Sequence, residues 1–492
     1  MQANTDPRLP KDSDKQPAPP EGQPVPKVSE VTAPPATKHS FIPQFPLAWG
    51  PDHPQQLLLY PEAGPLRTDL SRMRGPEVFR LQPIQLASGL PVYIFPETFP
   101  ADFEIKVSVR AGATSDPLGK SGLAHFLEHL LLKNSIDGVG QAQLERERRT
   151  NYVRTNGVTS FYATGFEAKG RHASREFGIE TLAPIFVPPA FAEADLQHEK
   201  VIVQAEDIAV QRPNYLRVFH EQGTRFLFGE RRNLGSVLGT PPELDSITSA
   251  DLESFWRQHY RADNMAVFIR AHDPDRVLRR LESLASQLTA HNISSVSCVE
   301  HALQPRQGAG PEVLNLYANS DGHHVFIGMP SLLPNHSDFA ALLVLKFMLA
   351  GSPASYLLEG LRSSRPLTYS VDLYSLYGQM GEVAEVLQVA LASPQHLDEV
   401  SKVIQEVYGD ALQGKLNGMF FERAQSAVQD QYRFAGNLNW WQDSFLACGQ
   451  PVPVDQVFQS VSDVTLEDVH RVAVQVLNPA AARTVVIGRG LK

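Results

Sequence analysis

Two histidines and a glutamate stand inside one apolar run, Ser121–Leu132 (SGLAHFLEHLLL). His125 and His129 are four residues apart, so in a helix both imidazoles leave the same face about one turn apart. That spacing lets two neutral histidines grip one Zn²⁺, and Glu128, a neighbour on that face, can take a proton from water beside the metal. The order is H-x-x-E-H, the reverse of the commoner H-E-x-x-H. Surface or satisfied core histidines would also give the pentapeptide. Three polar groups inside an otherwise apolar helix are costly without a partner, which favours the metal reading. Two histidines leave a catalytic zinc one protein ligand short. The best supplier is the stretch Leu196–Asp207, where Glu199 and Glu206 are seven residues apart, two helical turns, and share a face.

These residues need elements to hold them. Leu123, Phe126, Leu127, Leu130 and Leu131 form a helical apolar stripe over Gly122–Leu132. Strands are predicted at Val92–Phe95 and at Glu104–Val109, where Ile105, Val107 and Val109 alternate with polar neighbours. Another helix begins near Phe191 and runs past Ile208. A segment at Asp251–His259 then leads to a strand at Met265–Arg270.

The pattern repeats. Ile247–Leu252 (ITSADL) matches Val464–Val469 (VTLEDV) far downstream, and each has a Thr followed three residues on by an acid, a helix-starting capping box. Carried forward without a gap, the match sets Val267–Ile269 against Thr484–Val486. A weaker echo pairs Glu104–Val109 and the Gly122 helix with Val325–Gly328 and Asp338–Leu349. The expectation is an α+β protein built from two copies of one unit, residues 76–288 and 313–492. Residues 289–312 lack periodicity and read as the connector. Proline crowds the start of the chain, in runs such as PAPPEGQPVPK and TAPPATK, so residues 1–75 read as a largely disordered extension.

Composition narrows the class of the 492-residue chain. No uninterrupted apolar run approaches the ~20 residues needed to span a bilayer, so no membrane association is expected. The start MQANTDPRLPKDSDKQ has no apolar core of a secretory signal, and Asp6, Asp12, Asp14, Glu21 and Glu30 fit a transit peptide badly. Cys298 and Cys448 form no CxxC, in keeping with a reducing cytoplasm. A net charge of −10 argues against a nucleic-acid partner. His323-His324 reads as a turn entering a strand, Trp440-Trp441 as a packing element, and Glu145–Arg149 (ERERR) as a solvated helix face.

At this point the chain resembles the pitrilysin/insulinase family of inverted-zincin metallopeptidases, in its processing-peptidase-like branch of half-length subunits. That family's signature is HxxEH followed, at a fixed distance, by a glutamate ligand, and the interval from His129 to Glu206 is the family's own. A second family glutamate, seven residues earlier, is matched by Glu199. Asn156-Gly157-Val158-Thr159 is similar to the family's substrate-lining edge strand, and Gly351–Tyr369 to the segment bearing an Arg and a Tyr, here Arg362 and Tyr369. The resemblance covers roughly residues 80–492. Departures are Asn134-Ser135 after the histidine helix, Gly157 in place of Ala, and Pro366 and Thr368 before the tyrosine.

The resemblance implies two related α/β-sandwich domains forming one half of a clamshell. It implies one Zn²⁺ per chain on His125, His129 and Glu206, with Glu128 as general base and Glu199 orienting a ligand. Asn156, Gly157, Arg362 and Tyr369 would bind substrate, the last two also holding the oxyanion. A half-length subunit implies a homodimer, or a heterodimer with a degenerate sister. The expected activity is endoproteolysis of short or unfolded peptides in an enclosed chamber. The alternatives are a dedicated leader-peptide maturase and a non-catalytic peptide-binding subunit.

Overall fold

Short apolar runs, several of them buried on both faces, build two β-sheets. The computed structural model describes residues 83–96, 100–134, 138–210, 215–228, 236–288, 301–302, 312–318, 322–352, 354–377, 382–434, 438–479 and 481–489. The expected extension 1–75 and most of the expected connector lie outside the described residues.

The first sheet has the order β1 (Ile84–Gln85), β2 (Pro91–Pro96), β6 (Met265–Ala271), β3 (Asp102–Val109), β5 (Thr164–Arg171), β4 (Val153–Thr159). The second runs β8 (Glu312–Tyr317), β12 (Arg483–Gly488), β9 (His323–Pro330), β11 (Glu382–Leu391), β10 (Thr368–Tyr377). Along each order one matching pair is parallel, β2 with β6 and β8 with β12, and the pairs that follow are antiparallel. The two sheets are therefore copies. Both echoed capping boxes form: Thr248 with Asp251 before one helix, Thr465 with Asp468 before the other. The echoed runs Val267–Ile269 and Thr484–Val486 lie in β6 and β12, matching strands of the two sheets. Within the connector, β7 (His301–Ala302) pairs in parallel with β11, and Glu312 already belongs to β8, so this stretch carries short paired segments.

Each sheet packs its helices on one face and borrows a cover for the other. The helix Leu438–Cys448, from the second copy, lies on the first sheet: Trp441 meets Tyr93 and Phe95, and Phe445 meets Phe268. Trp440 is buried with its indole N–H on the Val452 carbonyl at 2.8 Å, so the tryptophan pair is a packing element. In exchange, residues 215–228 of the first copy cover the second sheet, with Phe219 stacked on Phe326 at 3.8 Å and Tyr215 on His324. Each such buried aromatic contributes about 1.5–3 kcal/mol, so neither copy's core is complete without the other.

The helical segments 339–351 and 356–363 are together long and apolar enough by composition to cross a membrane. Phe339–Leu345, Met348–Ala350, Leu357 and Leu361 in them are buried in the core of the second copy.

Candidate metal centre

The helix Leu123–Lys133 is fixed at both ends. At its start Gly122 takes φ 89°, and a side chain there would come within 2.8 Å of the Gly239 backbone. Asp116 accepts from the N–H groups of Gly122 (2.8 Å) and Ala124 (2.9 Å), capping the first turn of the helix, while burial lifts its carboxyl to about 7. At its end Arg148 donates to the Leu132 carbonyl at 2.5 Å and Asn134 to that of Leu130 at 2.6 Å. The stripe Leu123, Phe126, Leu127, Leu130, Leu131 is buried, as the periodicity demands, and His125 and Glu128 are buried with it.

The neighbouring helix Glu193–Val210 brings up Glu206 and Glu199. Glu206 Oε2 lies 3.3 Å from His129 Nε2 and 3.9 Å from His125 Nε2. One donor atom from each of the three residues falls within 4.8 Å of the other two, the sole such group among the described residues. Glu199 Oε1 accepts from His129 Nδ1 at 2.8 Å and from Lys133 Nζ at 2.6 Å, which leaves His129 Nε2 turned toward Glu206. Glu128 Oε2 is 4.0 Å from His125 Nε2 and accepts from the Thr159 hydroxyl at 3.3 Å. Two imidazole nitrogens and a carboxylate oxygen converging in this way suit Zn²⁺.

Charge is arranged to match. Burial pulls His125 down to about 4, keeping the ring neutral. Burial opposes charge on His129 as well, but hydrogen bonds to Glu199 and Glu206 lift it to about 9. A metal ion held here would take the place of the proton His129 shares with Glu206. Burial pushes Glu128 up to about 7, against the pull of His129. Glu206, hydrogen-bonded to His129, is held below the usual carboxylate range.

Two insulinase-type descriptions fit this chain. A family model for "Insulinase (Peptidase family M16)" matches residues 99–227, and one for "Peptidase M16 inactive domain" matches residues 246–428. An uncharacterized zinc protease of Streptomyces coelicolor is 25% identical over 404 residues, covering 76% of this chain and 82% of the relative. One of Bacillus subtilis is 21% identical over 376 residues, covering 75% and 89%. The chain belongs to the pitrilysin/insulinase family. Its fold is similar to that of a protease from Helicobacter pylori, with a TM-score of 0.68, 18% identity, and coverage of 83% of this chain and 99% of that one. A peptidase M16 inactive domain protein from Pseudomonas fluorescens gives 0.68, 15%, 84% and 98%.

The family motif residues divide into two groups. His125, Glu128, His129, Glu199 and Glu206 come together, and Gly157 lies against Glu128: a Cβ there would stand 2.0 Å from Glu128 Oε1. Gly157 and the exposed Asn156 belong to β4, the edge strand of the first sheet. Arg362 and Tyr369 lie on the second copy. Tyr369 is 78% exposed, with the Arg362 guanidinium 5.5 Å from its ring centre. It is the extra residue of a β-bulge between Thr368 and Ser370, a distortion that turns a side chain out of the sheet. Among the described residues, no hydrogen bond or ion pair joins this pair to the metal centre.

Sequence reasoning passed over Asp116, Lys133 and Arg148. Lys133 had a signal, four residues after His129 on the same helix. Asp116 and Arg148 had none, because a loop and a second helix bring them in. Arg148 also corrects the reading of ERERR as a solvated face: it is buried, held by Glu145 at 2.6 Å, while Arg146 and Arg149 are exposed as expected. His323-His324 does enter a strand, β9, and takes no part in a metal group among the described residues.

Proposed function

We propose that the chain is a zinc-dependent endopeptidase acting on short or unfolded peptides. The observation that carries this reading is the convergence of His125, His129 and Glu206 beside a buried carboxylate, Glu128. A zinc ion held by these three residues supplies Lewis-acid polarisation of a carbonyl and acidifies water. Glu128 takes the proton of the attacking water and delivers it to the leaving amine; a pKa lifted by burial to about 7 suits both transfers. Glu199 holds the His129 ring through Nδ1, and Lys133 offsets the charge of Glu199. The open backbone of β4 at Asn156 and Gly157 receives the peptide as an added strand.

In this proposal Arg362 and Tyr369 act from a second subunit, stabilising the oxyanion across a closed chamber. Their exposure, and their separation from the metal centre of their own chain, support a dimer. Since one chain carries both sets, a homodimer suffices; a degenerate sister subunit would supply the pair equally well.

The test is a mass-spectrometric time course on a mixed library of unstructured peptides, comparing wild type with Glu128→Gln, both assayed for zinc. Cleavage by wild type alone, with zinc in both, is expected. No cleavage by the zinc-loaded wild type would overturn autonomous peptidase activity and leave a peptide-binding subunit.

A further inference from the structure

The start of β4 carries arginines that no acid answers. Arg154 on β4, Arg171 at the end of β5 and Arg149 on the helix Gln141–Thr150 are all exposed. None has a side-chain hydrogen bond or ion pair among the described residues. The acids around them are engaged elsewhere. Glu145 binds Arg148 at 2.6 Å, Glu147 accepts from Gln143 at 2.9 Å, Glu167 pairs with Lys169 at 2.9 Å and Glu104 with Arg270 at 2.8 Å. Asp102 stands opposite Arg171 in register, yet the guanidinium lies instead over the Tyr152 ring, 4.2 Å from its centre.

The three belong to one corner. Arg154 pairs in register with Lys169, two residues before Arg171, so their side chains share one face of the sheet. Tyr152 donates its N–H to the Arg149 carbonyl at 3.2 Å and holds φ 53°, uncommon for any residue but glycine. In a chain of net charge −10, three arginines without an ion-pair partner among the described residues stand at this open sheet edge.

We propose that this corner reads acidic side chains on the bound peptide. The inference rests on the peptidase reading, in which an extended peptide adds to β4. A residue of that peptide opposite Arg154 points to the arginine face. Arg154 lies three residues from Gly157, where Glu128 sits, or about 10 Å along the strand at ~3.3 Å per residue. The preferred acid therefore lies about three or four residues from the scissile bond, on the side running toward Tyr152. Exposed ion pairs are weak singly and screened by salt, so the preference is a modest one built from two or three contacts.

The test uses full-length Glu128→Gln loaded with zinc, which binds without cleaving. A fluorescein-labelled Gly/Ser/Ala/Leu peptide with two glutamates is titrated against the same peptide with glutamines, at low and high salt. The glutamate peptide is expected to bind about ten-fold tighter at low salt, with the gap shrinking at high salt. Adding Arg149→Gln and Arg154→Gln should remove the gap while zinc content and melting temperature stay unchanged. Equal affinity for both peptides, or a gap indifferent to the double substitution, overturns the proposal. Charge-blind cleavage by wild type would sink this inference and leave the peptidase reading standing. Selective binding without any cleavage would do the reverse.

Discussion

The helices Leu123–Lys133 and Phe339–Lys346 hold matching places on two sheets of the same order, and one contributes to a candidate metal-ligand group where, among the described residues, the other does not. The second helix reads FAALLVLK, with no histidine or acid. The strands show the same substitution in detail. With Val267 matched to Thr484 by the ungapped echo, sheet register runs through Val107, Phe166 and Gly157 in the first copy, and through Ile327, Leu387 and Leu373 in the second. Gly157, the gap that admits Glu128, is thus matched by a leucine. Thr159 and Thr164, a cross-strand pair, are matched by Ser375 and Glu385.

Polar groups survive at the second site, but they satisfy one another. Glu385 meets Lys346 at 2.8 Å and accepts from Ser331 and Ser375, each at 2.6 Å. In the first copy His125, His129 and Glu206 bring their donor atoms within 4.8 Å of one another. One scaffold therefore supports both outcomes. What separates them is whether the buried donors are spent internally.

The sharpest break is at the base. Glu128→Gln should lower kcat/KM on peptides by about 10²–10⁴-fold while zinc stays bound, read by peptide mass spectrometry and metal analysis. Retained activity would remove Glu128 from the chemistry. Lys346→Met is its counterpart in the second copy, leaving Glu385 buried and unpaired. It should cost about 3–5 kcal/mol of stability and leave zinc affinity alone. A loss of zinc with intact stability would mean that the two sites are not independent. Making the first copy like the second, Gly157→Leu should displace Glu128 and cost on the order of 10²-fold in kcat with zinc retained.

How far the sequence carried the argument follows from the range of the interactions. The four-residue histidine spacing, the apolar stripe and both capping boxes are set within a turn or two of helix, and all are visible in the residues. The repeat was legible for the same reason, since the same local signals recur in the same order in both halves of the chain. Asp116 and Arg148 were not, since nothing local says that a loop and a neighbouring helix will cap the same element. Nor was the exchange of covers, with 215–228 on the second sheet and Leu438–Cys448 on the first. Periodicity reports which face is apolar, and not which partner covers it.

The support around His129 gives a smaller effect. Glu199→Gln should weaken zinc binding by about 10–100-fold in a chelator competition, because His129 loses the group that orients its ring. Unchanged affinity would leave Glu199 a buried partner of Lys133 with no hold on the metal ligands. Asp116→Ala should cost about 1 kcal/mol of stability through the lost cap, measured by urea denaturation.

The two exchanged covers can be compared through pH, and here the signs are opposite. Under the first sheet's cover, burial lifts Asp443 from its ordinary 3.8 to about 7, with Lys106 pulling the other way. Its folded pKa lies above its unfolded one, so its contribution is fully present below about 3.8 and is lost as pH rises through about 7. Under the second, burial lowers His324 from 6.5 to about 4, helped by His323. That contribution is present above 6.5 and is lost as pH falls through about 4. Each group changes stability by at most about 1.4 kcal/mol per pH unit. Between about pH 4 and 7, Asp443→Asn should therefore abolish a loss of urea midpoint as pH rises, and His324→Gln a loss as pH falls, while both variants run parallel to wild type at alkaline pH. If both variants ran parallel to wild type throughout, neither buried group would be coupled to the packing of its cover. The two faces would then be held by their aromatic contacts alone.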